Sequence, residues 1–564
     1  MSPKIASVPR HVLAALRKRN PASPCLPASD CGSARRRRQL ALARRRYIYA
    51  PRGSVGHQLG RAPVSSRIPL AARYDWSWVG PYLPRLLDSV TQATRAWIDL
   101  GPQRRDARKV GLDDHAFARA RVGGVNPLTI ERVRALDDLR GRLDVSEDMW
   151  VRTLGTQARV RREIADQRLF IADYRPLACA QLHGSSRDLR FRERYLAAPV
   201  AVFREVRSAP RPRLEPVLIQ LDQRDDLGVH PSAFAPSDGA GWRLAKLYVQ
   251  NADVNLGVLG HHLGGCHALA EAFALSTPRQ LSPRHPVYVL LEPHLAYSLA
   301  VNRAAHTLLT RPGSVFEQVY SGSLPMTRSI VARAHKRLAS QPRSLAFDLE
   351  RRGVTRYPLD YPFRDDAQLY EPALAHFVRT YLARFYCDDA AVRGDGELQA
   401  WAAELASPAG GDMTGLLPES QLRTREELSE VLARVLFVVG PLHAALHFAQ
   451  PELLVEPDVY PAALFHPPPR HGEEVSASRI SRTLPPRAVA IVQVLNNRIA
   501  EYRFDRIGDY RRYRLAHVPE AREAIVELTR SLRAIESTIA ARNLTRVDPY
   551  TYLLPSRVPN SANI

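Results

Sequence analysis

The sequence predicts a mainly α fold, one large helical domain with a small β-sheet region, and three observations lead there. First, only three stretches read as strands: Arg168 to Tyr174 (RLFIADY), Pro216 to Leu221 (PVLIQL) and, more weakly, Pro199 to Phe203 (PVAVF). Second, the chain beyond them is predominantly helical in pattern. Its longest apolar run, Val435 to Ala449, is too short to span a membrane and reads as a buried core helix. Thr424 and Glu427 have capping-box spacing at the head of that helix, and Pro441 should kink it by removing an internal hydrogen bond. Third, Ile525, Leu528, Leu532, Ile535 and Ile539 alternate spacings of three and four, as one helix face does. Pro519 suits the first turn of that helix and Asn543 its end.

Residues 61–564 read as a single domain without an internal repeat. Residues 1–60 differ: they hold Arg35 to Arg38 and Arg44 to Arg46, many Pro and Ser, and one acid, Asp30. With no sustained hydrophobic period, this is the composition of a disordered or loosely docked basic arm. The whole chain carries a formal charge of +23. Such charge suits nucleic acid or an anionic membrane. Arginine supplies nearly all of it alongside abundant Ala, Leu and Pro, a bias that genome composition produces as readily as a ligand does. Contact of the arm with an anionic membrane is therefore kept as an expectation, and nucleic acid is not expected as a partner. The five cysteines are scattered, odd in number and without a CxxC pair, so a reducing, cytoplasmic setting is expected. No apolar segment adjoins the N-terminal basic residues as a secretory signal requires.

The last residues, DPYTYLLPSRVPNSANI, cannot be helical around Pro549, Pro555 and Pro559. Free ends are seldom so rich in aromatics and leucines, so this tail is expected to dock and to place Ile564 inside the protein.

Two groups stand out among the eighteen histidines. His443 and His447, four apart, project from one face of the apolar helix. Burying them there is costly without partners. A metal would satisfy them, and so would a hydrogen-bonded core pair; spacing leaves both open. In the stretch HHLGGCH, His262 and His267 lie five apart, about 140° around a regular helix. They reach one ion only if the helix widens into a π-type turn, which Gly264 and Gly265 would ease. His261 faces elsewhere on this reading.

These segments carry a resemblance. WRLAK from Trp242, HLGGCHALAE from His262 to Glu271, HPVYVLLEPH from His285 to His294 with Val301-Asn302, HAALHFAQ from His443 to Gln450, and the ending LPSRVPNSANI are similar, in order and spacing, to the catalytic core of lipoxygenases. The likeness runs from about Arg121 (RVGGVNPLTIERV) to Ile564.

The resemblance implies a large helical catalytic domain with a small β-sheet region and a long central iron-binding helix. It is of a bacterial type without the N-terminal β-sandwich lipid-binding domain. It implies one iron ion held by His262, His267, His443, the variable fourth position His447, and the carboxylate of Ile564. Such a thiolate-free N/O set suits iron cycling between Fe2+ and Fe3+. It further implies that iron-bound hydroxide takes a hydrogen atom from the bis-allylic carbon of a linoleate-type 1,4-pentadiene. O2 then adds to the radical, and a hydroperoxide leaves. Leu309 matches a leucine that presses the pentadiene toward the iron. Ala305 stands where alanine accompanies an S product, and Val254, Val319 and Tyr320 align with positions that shape pocket depth. Gln450 retains one end of a hydrogen-bonded link toward the iron, while Gly257 and Val258 replace the family's His or Glu/Gln at the other end. Gly264, Gly265 and Cys266 also depart from the commoner residues. A monomer acting on a polyunsaturated fatty acid and O2 is expected. The alternatives are a hydroperoxide isomerase on the same iron, forming epoxyalcohols or allene oxides, and a catalytically dead protein that binds anionic surfaces through its arm.

Overall fold

Strands β1 (Ile130–Arg132), β2 (Leu169–Asp173), β3 (Val200–Val206), β4 (Arg213–Gln220) and β5 (Ala233–Phe234) form one antiparallel sheet in the order β1-β2-β3-β4-β5. The computed structural model describes residues 23–30, 32–50, 64–99, 110–178, 193–207, 212–222, 232–340, 344–355, 359–417 and 419–564. The three predicted strands are β2, β4 and β3; the short edges β1 and β5 were too brief to stand out in the sequence. Each inner strand reads as a continuous apolar run because both sheet faces are buried. Phe170, Ala172, Ala201 and Phe203 enter the main core. Their neighbours Leu169, Ile171, Val200 and Val202 join Met149, Trp150 and Val160 in a smaller core on the other face.

Helices build the rest. We number α1 (Ser33–Arg46), α2 (Ala240–Asn255, Leu256–His267 and Ala268–Gln280 in unbroken succession), α3 (Ser298–Leu308), α4 (Leu324–Ser340), α5 (Tyr370–Leu382), α6 (Gly396–Ala406), α7 (Arg425–Phe437, Val438–Leu442 and His443–His447, also unbroken) and α8 (Arg522–Asn543). The middle segments of α2 and α7 are π-helical. The capping box of Thr424 and Glu427 opens α7 as predicted. The stretch Arg425–Leu453 is long and apolar enough to cross a membrane, but it is buried inside the protein as a core helix. Among the described residues no β-sandwich precedes the helical domain, and Cys25, Cys266 and Cys387 are free thiols, while Cys31 and Cys179 lie outside the described residues.

One expectation needs correction, and two are refined. The basic arm is not disordered throughout: Ser33–Arg46 is helical and packs on the last segment of α2. One of its arginines is neutralised inside the protein. The buried Arg36 donates to Glu397 of α6 at 2.5 Å and to Asp30 at 3.1 Å. Pro519 opens a 3₁₀ turn, Pro519–Ala521, that runs without a gap into α8, so the predicted first turn is present in tighter form; the buried face begins at Ala524, with Ile525 half-buried. Pro441 sits inside a π turn instead of marking a simple kink. The wider turn accommodates the missing N–H of proline.

Candidate metal centre

A π-helix bonds each N–H to the carbonyl five residues back, so residues five apart come onto one face. The amide of Ala268 bonds the carbonyl of Leu263 in this way, closing a π segment of 12 residues, longer than the single turn the sequence suggests. Two glycines hold it in place by letting backbone approach. A Cβ on Gly264 would lie 2.6 Å from the Val331 carbonyl of α4, and one on Gly257 would lie 2.8 Å from Asn126 Cβ and 3.0 Å from the Val125 carbonyl. The departures from the family pattern at these positions thus have a packing cause: the space a larger side chain needs is occupied.

The two π-bulged helices face each other and bring four imidazoles together. His262 Nε2 lies 3.2 Å from His267 Nε2 and 3.2 Å from His447 Nδ1, and His443 Nε2 lies 3.2 Å from His267 Nε2. Donor atoms of His262, His443 and His447 all fall within 4.8 Å of one another. All four rings are buried. Burial, then the neighbouring histidines, hold His262 and His443 well below the usual imidazole range; burial brings His267 down to about 4 and His447 to about 3. The cluster is therefore neutral at physiological pH, the form a metal requires.

Outward hydrogen bonds fix which nitrogen is bare. His267 Nδ1 donates to Asn302 Oδ1 at 2.9 Å, because the Asn302 amide is already committed to the His267 carbonyl at 2.9 Å and Glu271 at 2.8 Å. His447 Nε2 donates to the Ala500 carbonyl at 2.9 Å. Each neutral ring has one N–H, so His267 Nε2 and His447 Nδ1 point inward as lone pairs. Two nitrogens held ~2.1 Å from one ion at a right angle sit about 3 Å apart, close to the spacings found. The residues present fit a bound metal ion.

Asn302 acts only through His267, which makes it a positioning residue. Replacing Asn302 by Ala should lower metal affinity roughly 10–100-fold, the usual penalty for losing such a partner, with the fold retained. Metal titration monitored beside circular dichroism checks this; unchanged affinity would remove Asn302 from the account.

The C-terminal tail docks as predicted, and residues 558–563 are buried. Val558 accepts from the Ile507 amide at 2.7 Å, and Ser561 Oγ donates to the Ala296 carbonyl at 2.9 Å. Asn560 is pinned from several sides: its side chain donates to Asp505 at 2.9 Å and accepts from the Gly508 amide, and its carbonyl meets His294 at 3.0 Å. Gly440 in the π turn of α7 admits this strand, since a Cβ there would lie 3.3 Å from the Pro559 carbonyl. Ile564 itself is half-buried, and its main chain acts on His443, pulling the imidazole back up against the lowering by burial.

The other predicted positions divide. Ala305 lines a small cavity of about 10 Å³, room for roughly one water, together with His267, Leu263, Glu271 and Asn302. Leu309 is half-buried, and Val254, Val319 and Tyr320 are fully buried; none of these four lines that pocket. Gln450 is buried but donates at 2.9 Å to the Leu446 carbonyl, so it closes the end of α7, and no hydrogen bond to a partner near position 257 is found among the described residues. His261 points away from the cluster, toward Asn126 Oδ1 at 2.8 Å. Asn126, Asp505 and the roles of His294 and Asn560 escaped the sequence reading. The polar SAN and PN pairs within an otherwise apolar tail were the available signal for Asn560.

With the site in view, the comparisons agree. The family profile named Lipoxygenase matches residues 101–547. The chain is 32% identical over 469 residues to the linoleate 9/13-lipoxygenase of Pseudomonas aeruginosa, covering 80% of this chain and 67% of that one. It is 30% identical over 457 residues to the human hydroperoxide isomerase ALOXE3, covering 80% of this chain and 62% of that one. Among solved structures, a coral 8R-lipoxygenase superposes with a TM-score of 0.80 at 24% identity, covering 96% of this chain and 83% of the other. A manganese lipoxygenase superposes with a TM-score of 0.78 at 23% identity, covering 96% and 100%. The chain belongs to the lipoxygenase family, oxidoreductases that use a catalytic metal, iron or manganese, to dioxygenate fatty acids.

Proposed function

We propose that this chain is a non-haem iron dioxygenase of polyunsaturated fatty acids. His262, His267, His443, His447 and the carboxylate of Ile564 hold one iron ion. The observation that carries the reading is the pair of fixed, inward lone pairs on His267 and His447 inside a neutral four-imidazole cluster. Iron bound there supplies the one-electron exchange that lets a bis-allylic C–H bond break. The chain's own part is placement. Neutral imidazoles and a docked main-chain carboxylate offer ligands without thiolate, which suits an ion that cycles between two oxidation states. Asn302 holds the His267 ring in its tautomer. Ala305, beside His267 in the pocket, leaves room where a larger side chain would stand, and its identity supports an S hydroperoxide.

Deleting Ile564 tests the ligand set. Iron content and oxygen uptake with linoleate are measured on the intact protein and on the truncated one, with conjugated-diene absorbance as the product signal. The intact protein is expected to hold one iron per chain, and the deletion to lose most of the iron and at least 100-fold in turnover, the upper range for a lost interaction at a metal. Equal iron and equal turnover in the two would sink the assignment; stoichiometric manganese instead of iron would change the metal and keep the ligands.

A second reading on the same site, isomerisation of fatty-acid hydroperoxides, is favoured by the likeness to ALOXE3. It predicts consumption of added hydroperoxide without diene formation from linoleate and O2.

A further inference from the structure

We propose that the N-terminal region forms a docking surface for anionic lipid membrane, made of an exposed apolar stripe on one helix together with the exposed arginines of α1, which precedes it in the chain. The stripe lies on the helix Trp76–Asp99. Trp76, Leu83, Leu87 and Val90 follow one another at steps of seven, four and three, which places them on one helical face. All four are exposed, Trp76 by 72% and Leu87 by 70%. Gly80 shares that side and has nothing within 4 Å of where a Cβ would stand. The opposite face is occupied: Trp78, Ser89 and Ala93 are buried, and Ser89 Oγ donates to the Arg498 carbonyl at 2.9 Å. The helix is thus apolar on both sides, with only one of them spent on the core. Leu70, just ahead of it, is 81% exposed.

The charge of the surrounding sequence selects the occupant. From residue 33 to residue 95 the sequence holds thirteen arginines and two acids, Asp75 and Asp88. Arg35, Arg37, Arg38, Arg45 and Arg46 are exposed on α1. The segment linking α1 to the stripe is tied back to it, Ser66 N–H donating to the Ile48 carbonyl at 2.8 Å and Arg67 donating to the Arg45 carbonyl. A helix with Trp and Leu outward, in a segment so rich in exposed arginine, matches the chemistry of an interfacial membrane element, whose apolar side chains enter the acyl boundary while cations meet anionic headgroups. A nucleic acid would use the arginines and leave the stripe exposed to water; a second copy of this chain would bring thirteen more arginines to the contact.

The segment that links α1 to the stripe also adjoins the site. Ser65 N–H donates at 2.6 Å to Glu271, which lines the pocket next to His267, and Leu70–Ala72 packs on α3, the helix that carries Ala305. A membrane held there would be a source of fatty acid beside the pocket. That last step rests on the lipoxygenase reading; the binding surface does not.

The test is co-sedimentation of the full-length protein with vesicles of phosphatidylcholine containing phosphatidylglycerol, and with phosphatidylcholine alone. Two surface variants are compared, Trp76→Ser with Leu87→Ser, and Arg37→Glu with Arg38→Glu and Arg45→Glu, both checked for native circular dichroism. Expected are binding to the anionic vesicles that falls with added salt, and at least a tenfold loss of partitioning in each variant. Turnover of dispersed linoleate should stay unchanged in both. Failure of the wild type to bind, equal binding by the variants, or gel filtration showing that the stripe instead drives self-association would overturn the proposal. Vesicle binding needs no turnover, so its failure is distinct from failure of the assigned reaction.

Discussion

Replacing Asp253 by Ala should cost the fold about 3–5 kcal/mol, although Asp253 touches no proposed ligand. Asp253 and Arg121 are both fully buried, 3.2 Å apart. Burial pushes the Asp253 carboxyl above the usual carboxylate range while Arg121, Tyr174 and Asn126 pull it back. Tyr174 donates to Asp253 at 2.6 Å and accepts from Arg121 at 3.1 Å, and Arg121 reaches Gln250 on α2 at 2.5 Å. Removing one partner of a buried pair leaves the other charge stranded without water, which is why the loss is about 3–5 kcal/mol. Replacing both by apolar residues of similar size removes that stranded charge. The double variant Arg121→Met with Asp253→Leu should therefore recover most of what the single change loses. The network continues toward the metal centre: Asn126 donates to Asp253 at 3.0 Å and meets His261, next to His262, at 2.8 Å. Both variants should therefore also weaken metal binding, and the double variant should not restore it, because Asn126 is left without its anchor. Urea unfolding and metal titration on the three proteins decide the matter. A single variant within about 1 kcal/mol of wild type, the range of an ordinary surface change, would show that the pair contributes little.

What the sequence made legible, and what it did not, follows from the range of each interaction. The π turn between His262 and His267 was readable because the spacing of five and the glycines between lie within one turn of chain. The inner strands and the face of α8 were readable for the same reason, their periods being local. The docking of the tail could be argued from its composition alone. The partners were not readable. Arg36 is neutralised by Glu397, His267 is held by Asn302, Asn560 by Asp505, and His261 by Asn126. Each joins segments far apart in the chain, and nothing in a run of arginines says whether an acid waits for one of them. The helix α1 was missed for that reason. Gly264 was readable as easing the π turn and Gly257 only as a departure from a family pattern; the close packing against both positions exists only in three dimensions.

Stripped of metal, the protein should unfold in mild acid, well above the pH at which its carboxylates protonate. Seven histidines carry the effect, six of them buried and His261 half-buried. Burial lowers His261 and His447 to about 3 and His267, His294 and His335 to about 4, and it holds His262 and His443 well below the ordinary range. In the unfolded chain each titrates near 6.5. Between about pH 6.5 and the folded values the unfolded state binds more protons, so stability rises with pH there and falls as pH drops through that window. Above about 6.5 the contribution is fully present. Each histidine loses about 1.4 kcal/mol per pH unit, or roughly 2 kcal/mol between pH 6.5 and 5. Glu271, raised by burial to about 7, works the other way, since the folded state holds its proton first; Asp253 and Asp505 are raised in the same sense. Seven groups outweigh three. The net loss reaches several kcal/mol by pH 5, against total stabilities of about 5–15 kcal/mol for a folded domain. A metal bound only by the native state opposes this and should move the transition to lower pH. Urea midpoints at pH 7 and pH 5, with chelator and with added iron, are the measurement. The chelated protein should show the larger drop between the two. Midpoints that stay equal at the two pH values would mean that these imidazoles reach water in the folded state, and the buried neutral cluster would have to be redrawn.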